Sequence, residues 1–142
     1  MIEIIEKLQS TTFQSTPLTN ARLKYLSNIA GISEDHISRI GLGLSISEGN
    51  VRTDWKPSEL ENENLVISNS SKEKHLRSKT LFKDDLAVWL GLILQHHDPG
   101  NYNSWRAISR LHWERGVELL MKKYLKNGDW IRTIVACFNT LE

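Results

Sequence analysis

Apolar and polar positions along the chain change period several times, and each change marks an element. Ile2, Ile5 and Leu8 recur every third residue, which predicts one or two helical turns. Residues 11–15, TTFQS, alternate instead, with Thr12 and Gln14 on one side and Phe13 on the other, and predict a short strand. Thr16-Pro17 then signals a helix start: threonine as N-cap, and proline at the first helical position, where its missing N–H costs nothing. The helix expected over 17–30 turns Leu18, Ala21, Tyr25, Leu26 and Ile29 inward, and Gly31 is its expected left-handed C-cap. Ser33 caps a second helix, with Glu34 and Asp35 near the positive end of its dipole and Ile37, Ile40, Leu42 and Leu44 on its apolar side.

That second helix contains Gly41 and Gly43, each costing about 1 kcal/mol against alanine in a helix interior. Close backbone approach is the usual compensation. Gly41 is expected where another helix crosses tightly, and Gly43, on a different side, at a subunit contact. No helical period persists over 47–79, a loop longer than compact domains usually carry, in which NLVIS (64–68) is a strand candidate. Leu86, Ala87, Leu90, Ile93 and Leu94 predict a helix over 83–96, with Trp89 flanking it, ended by the turn at 98–101, DPGN. A long helix over 104–126 follows, with Ser104 as cap candidate and Trp105, Ile108, Leu111, His112, Leu119 and Leu120 on its core face. Asn127-Gly128 stops it. Asp129 caps a last helix with Trp130, Ile134, Cys137, Phe138 and Leu141 on one face. The fold expected is mainly α: one domain over 1–142, a compact helical bundle with a short N-terminal strand. Strand, capped helix, glycine turn and second helix follow the ribbon-helix-helix plan, in which two subunits build a ribbon that enters the DNA major groove. Glu34 and Asp35 would repel phosphates where such proteins bind them, at the N-terminus of the second helix.

Composition narrows the class. Apolar residues at 39% and charged residues at 25% describe a globular chain, and no apolar run nears the roughly 20 residues that span a bilayer. The first residues mix acids with isoleucines and lack a basic start, so no secretory leader is expected. The single cysteine, Cys137, fits a cytoplasmic setting and reads as a buried apolar side chain. Net charge is only +1, but it is unevenly distributed: residues 1–66 carry 6 Lys/Arg against 9 Asp/Glu, and residues 67–142 carry 12 against 8. The densest run, 71–83, holds Lys72, Lys74, Arg77, Lys79 and Lys83 against Glu73 alone. It is either a solvated loop or a patch that contacts phosphates.

Catalytic signals are weak. His96, His97 and Asp98 are adjacent, but neighbouring side chains on a helix point about 100° apart and share one metal ion poorly. His112 lies on the inner stripe and reads as a satisfied buried histidine, with a catalytic base as the alternative. Asp84 and Asp85 head a helix as caps; a nuclease pair would need a third acid nearby. Trp55 either anchors the long loop or offers a stacking platform for unpaired bases. There is no P-loop, cysteine cluster or glycine-rich nucleotide fingerprint, and no cofactor is expected.

Three segments together resemble the DndE family of bacterial DNA sulfur-modification (phosphorothioation) proteins. LKYLSNIAGISEDHISRIGLGLSI (23–46) is similar to its leucine-rich helix, turn and Arg-Ile-Ala-Leu-x-Leu-Ser-like segment. LRSKTLFKDDLAVWLGLILQ (76–95) is similar to its Arg-x-x-Thr-Leu and apolar helix, and HWERGVELL (112–120) to its His-x-x-x-Gly-Val segment. Gly41 stands where an alanine is common, Lys83 where many members have glycine, and the first ten residues are an extension. The resemblance implies a ribbon-helix-helix-like helical fold and a homo-oligomer, a tetramer, that binds intact or nicked duplex DNA. Its partners would be a cysteine desulfurase, an Fe–S ATP-pyrophosphatase-like protein and an SMC-like ATPase, which carry the sulfur, metal and nucleotide chemistry. On this reading the chain is a non-catalytic subunit, with a metal-dependent nickase and a ribbon-helix-helix transcription regulator as alternatives. The expected phosphate contacts are Lys72, Lys74, Arg77 and Lys79, supported by Arg22 and Lys24 on the outer face of the first main helix. Arg39 either joins them or pairs with an acid across a subunit contact. Gly41, Gly43 and Trp113 are assigned to the oligomer contact.

Overall fold

Thr16 opens the first main helix with its hydroxyl receiving the Thr19 N–H, and Gly31 closes it at φ 69. Both ends therefore form where the sequence signals them. The computed structural model describes residues 1–140. Their order is α1 (Ile2–Gln9), β1 (Thr12–Gln14), α2 (Pro17–Ala30), α3 (Glu34–Ser47), β2 (His75–Arg77), α4 (Ser78–Phe82), α5 (Leu86–Leu94), α6 (Tyr102–Asn127) and α7 (Trp130–Thr140). Leu141, expected on the face of the last helix, lies outside the described residues. Among those residues no helix is long and apolar enough to cross a membrane.

The ribbon is made within one chain, which differs from the two-subunit ribbon expected. β1 pairs antiparallel with β2: Thr12 faces Arg77, Phe13 faces Leu76 and Gln14 faces His75. Ser78 N–H donates to the Thr11 carbonyl at 2.8 Å and Ser15 N–H to that of Lys74 at 2.9 Å, extending the pairing. Both strands alternate exposed–buried–exposed, so Phe13 and Leu76 share the inner face. NLVIS is not a strand: Leu65 packs against the core, but Val66 is 89% exposed and Ile67 41%, too little buried face to fix a register. The expected long loop is correspondingly shorter, because β2 and α4 occupy 75–79.

The helix expected from 83 is divided. α4 stops at Phe82, Lys83 turns the chain at φ 54, ψ −136, and α5 begins at Leu86. Asp85 takes the N-cap position of α5 without a side-chain hydrogen bond. Asn101, not Ser104, caps α6, accepting the Ser104 N–H at 2.9 Å, and Gly128 ends that helix at φ 80. Asp129 caps α7 through the Arg132 N–H at 3.0 Å. α1 is no loose extension, since its Leu8 is wholly buried.

α3 crosses α6 at the centre of the molecule. A Cβ on Gly41 would lie 2.8 Å from the Gly116 carbonyl carbon and 2.9 Å from the Val117 nitrogen, and one on Gly116 would overlap the Gly41 carbonyl. Gly41 thus serves the close helix approach expected of it, but inside the chain and not at the oligomer contact. Trp113 leaves that contact as well: it is fully buried, and its indole N–H donates to Ser38 Oγ at 2.9 Å.

α2 is rotated about its axis relative to the apolar reading. Its buried residues are Thr19, Asn20, Arg22, Leu23 and Leu26, while Tyr25 is 38% exposed. The cause is acidic. Glu114 and Glu118, one turn apart on α6, face α2. Glu114 Oε1 accepts the Thr16 N–H at 2.6 Å and the hydroxyls of Thr16 and Thr19 at 2.8 and 2.9 Å. Burying those carboxylates needs partners, and α2 turns its polar stripe inward to supply them.

Candidate nucleic-acid interface

The exposed face of the ribbon carries Thr12, Gln14, His75 and Arg77, two cross-strand pairs of polar side chains. Phe13 and Leu76 hold this face outward from below, with Phe13 edge-on to Phe82 at 6.0 Å. A two-stranded ribbon is one of the shapes the major groove of B-DNA admits, and glutamine and arginine are side chains that read adenine and guanine edges.

Cations stand at one end of the ribbon and beside β1. At the Thr12–Arg77 end of the ribbon, Arg77 and Lys79 line a depression with Gln9, Ser10 and Thr11; it adjoins a cleft of about 470 Å³ whose polar lining is Lys79, Lys83, Ser78, Gln9 and the acid Asp84. The Ser78 hydroxyl is buried there without a hydrogen-bond partner among the described residues. Beyond β1, Asn103, Arg106 and Arg110 follow one another at i, i+3 and i+7 on α6 and line a cleft of about 410 Å³ with Gln14 and Ser15. Arg77, Lys79, Lys83 and Arg106 are exposed and make no ion pair among the described residues. Arg110 donates one arm to Glu114 Oε2 at 2.6 Å and is partly exposed.

The remaining expected contacts divide. Lys72 and Lys24 are exposed. Lys74 is half-spent, its ammonium 3.3 Å from Glu34 Oε1. Arg39 donates one arm to the Thr80 carbonyl at 2.8 Å and lines the groove between α3 and α7. Arg22 is a correction: it is wholly buried, not on an outer face. Its Nε donates to Glu63 at 2.7 Å, its Nη1 to Glu118 at 2.9 Å, and its Nη2 to the Ser58 carbonyl. Ser58 N–H in turn donates to Glu118 at 2.8 Å, and Asn20 Nδ2 to the Lys72 carbonyl at 2.9 Å. Arg22 therefore latches the long loop to α2 and α6 and is unavailable to phosphate.

Compared with known protein families, curated proteins and solved structures, the chain matches none.

Two other groups are structural. His112 is buried and shares a 2.8 Å hydrogen bond with Ser45 Oγ, which also receives Arg115 Nε at 2.8 Å. Burial, then the charges of Arg115 and His96, lower the His112 pKa from 6.5 to about 4. Arg115 also donates to the Ser45 and Gly49 carbonyls at 2.6 and 2.7 Å, closing the C-terminus of α3. Cys137 is buried, and burial pushes its thiol up, as an unreactive side chain requires.

Opposite chemistry covers another surface. α5, LAVWLGLIL, carries no polar side chain except the Trp89 N–H, yet only Leu86, Leu90 and Ile93 are buried. Val88, Leu92 and Leu94 are exposed, and so are Ile131, Val135 and Phe138, at i, i+4 and i+7 on α7. Gly43 joins the two helices: a Cβ there would lie 3.9 Å from the Trp89 ring, and Gly43 lines a groove of about 350 Å³ with Arg39, Ile40, Leu44, Ile134, Cys137 and Phe138.

Proposed function

We propose that this chain is the DNA-binding accessory subunit of a bacterial DNA phosphorothioation system, holding duplex or nicked DNA as a homo-oligomer for the partner proteins that carry the sulfur chemistry. The pathway rests on the resemblance to DndE proteins in three ordered segments. The binding mode rests on one observation: a polar ribbon face bordered by Arg77, Lys79, Lys83 and Arg106, cations without an ion pair among the described residues. Phosphate contacts from those cations position the duplex, and Thr12, Gln14, His75 and Arg77 meet its groove. Lys72 and Lys24 extend the field; Arg22 plays no part.

Assembly uses the α5–α3–α7 surface, and its occupant is a second copy. The surface presents on the order of 600 Å² of apolar area, approaching the roughly 800 Å² per partner of a standard interface, and Arg39 is the charged side chain that lines its groove. Gly43 lies in this surface, as its assignment to an oligomer contact requires. Each copy adds its own cations along the duplex.

The test is salt dependence. Each phosphate neutralised adds about 0.9 to the slope of log K against log salt. Exchanging Arg77, Lys79, Lys83 and Arg106 for glutamate flattens that slope and weakens binding to random duplex. Unaltered affinity and slope in a folded variant would remove the interface. The ribbon favours a second reading, a transcription regulator that reads sequence through Gln14 and Arg77. A mobility-shift comparison separates the two: a regulator prefers one operator over random duplex, while the accessory subunit binds intact and nicked duplexes of any sequence.

A further inference from the structure

Trp55 is the aromatic residue whose position the fold does not explain. It stands in the long loop, half-buried against the core, and lines a groove of about 520 Å³ with Pro17, Leu18, Pro57 and Ile67. A tryptophan needed only as an anchor would sink its ring; this one keeps a face toward an open groove. Two proline rings and two aliphatic side chains supply the apolar wall beside the indole, and Thr16 and Thr53 add hydroxyls. Cations stand at the rim, Lys56 and Arg110. The one acid there, Asp54, is held by Arg52 through two 3.0 Å hydrogen bonds.

This groove continues into the cleft beside β1, since Thr16 and Arg110 line both. A strand leaving a duplex seated on the ribbon would pass Arg106, then Arg110, then reach Trp55. We infer that the Trp55 groove holds an unpaired nucleobase, stacked on the indole, with its flanking phosphates on Arg106, Arg110 and Lys56. The inference rests on the nucleic-acid reading above and adds a second, single-stranded site to it. Glu114 does not oppose it, because that carboxylate is buried beneath the surface and already receives the Thr16, Thr19 and Arg110 donors.

Stacking on an aromatic platform is sequence-tolerant and strong enough to shift affinity roughly tenfold per base. The experiment uses the full chain and two fluorescent probes: a blunt duplex, and the same duplex with a short single-stranded tail containing 2-aminopurine. Wild type is expected to bind the tailed probe about tenfold tighter than the blunt one, with quenching of the 2-aminopurine. Trp55→Leu, which keeps apolar volume without an aromatic ring, loses both effects and leaves blunt-duplex affinity unchanged; Trp55→Phe restores most of the preference. Lys56→Glu, at an exposed position, lowers tailed affinity more than blunt. If wild type binds both probes equally, or Trp55→Leu keeps the tail preference, the groove assignment is overturned while duplex binding stands. If neither probe binds at low salt, the nucleic-acid reading fails, and the groove site with it.

Discussion

Substituting Gly116 by alanine tests the packing on which the whole arrangement depends. The added methyl overlaps the Gly41 carbonyl, and the obstacle is backbone, so no rotamer change relieves it. The reciprocal methyl on Gly41 would lie 2.8 Å from the Gly116 carbonyl carbon, where carbon atoms normally settle at about 3.5–4.0 Å. Gly41→Ala therefore asks α3 and α6 to separate by something under about 1 Å, and Gly116→Ala by more. A radial gap of about 0.5–1 Å already forfeits a quarter to a half of each dispersion contact. The contacts at stake include Ile37, Leu42, Ile108, Leu111 and Val117, all buried. Overpacking costs about 1–3 kcal/mol even where side chains can yield, and alanine returns about 1 kcal/mol of helix propensity. For Gly116→Ala the net loss is about 3 kcal/mol, and for Gly41→Ala about 1 kcal/mol. At roughly 3–4 °C per kcal/mol for a chain of this size, Gly116→Ala lowers Tm by about 10 °C. Thermal unfolding followed by far-ultraviolet circular dichroism measures it. Gly91→Ala is the control: that α5 glycine has nothing within 4 Å of an added Cβ. It should gain up to about 1 kcal/mol. A Gly116→Ala protein melting within a degree or two of wild type would mean that the helices do not cross this closely.

Four further outcomes are expected. Lys83→Gly relieves a non-glycine residue at φ 54, ψ −136, worth about 1–3 kcal/mol, against a smaller chain-entropy loss of about 0.4–1 kcal/mol; Tm rises by a few degrees, and Lys83→Ala, which keeps the strain, shows no such gain. Removing the Arg22 guanidinium with Arg22→Ala leaves Glu63 and Glu118 facing a buried void and costs about 3–5 kcal/mol, read from urea midpoints, whereas Lys24→Ala on the same helix is near neutral. His112 is neutral in the fold, so its contribution is full above pH 6.5 and is lost as the pH falls toward about 4, because the unfolded chain takes the proton first. That loss totals roughly 3 kcal/mol at about 1.4 kcal/mol per pH unit; subtracting the stability–pH curve of His112→Gln from that of wild type isolates it, and a flat difference over that window would refute the buried neutral imidazole. Val88→Glu with Val135→Glu abolishes self-association in light scattering while leaving Tm of the monomer nearly unchanged; a wild-type protein that is monomeric at high concentration would remove the proposed assembly surface.

Helix ends were legible in the sequence because their chemistry is local. Thr16 with Pro17, Gly31, Ser33 and Gly128 each act within a turn of where they stand, and each acts where expected. Helix faces were legible only where burial is apolar. Arg22 shows why. Its acidic partners lie 41 and 96 residues away, so nothing near it announces that a charged side chain turns inward. Counting leucines and isoleucines placed it outside, with the phosphate contacts. The ribbon failed in a related way: HLR is too short to signal a strand by itself, and only the match of Leu76 to Phe13 across the pair makes it one. Arg106 and Arg110 show the same limit. Asn103, Arg106 and Arg110 share one helical face, away from Trp105 and Ile108, but the same row runs on to the buried Glu114, so only the fold tells which part of it meets solvent.

These misreadings have one physical origin, and it bears on where function resides. A basic residue is free to meet a polyanion only if no acid of its own chain claims it first, and that depends on tertiary pairing. Arg22 is fully claimed, Lys74 and Arg110 are partly claimed, and Arg77, Lys79, Lys83 and Arg106 are unclaimed among the described residues. With a net charge of only +1, the proposed DNA binding would have to draw on the charges left over after internal pairing, not on the total. Exchanging Arg22, which is buried, should therefore change stability without a direct effect on the salt slope. Exchanging Arg106, which is exposed, should do the reverse. The pair of measurements separates the latch from the interface in a way no inventory of basic residues could.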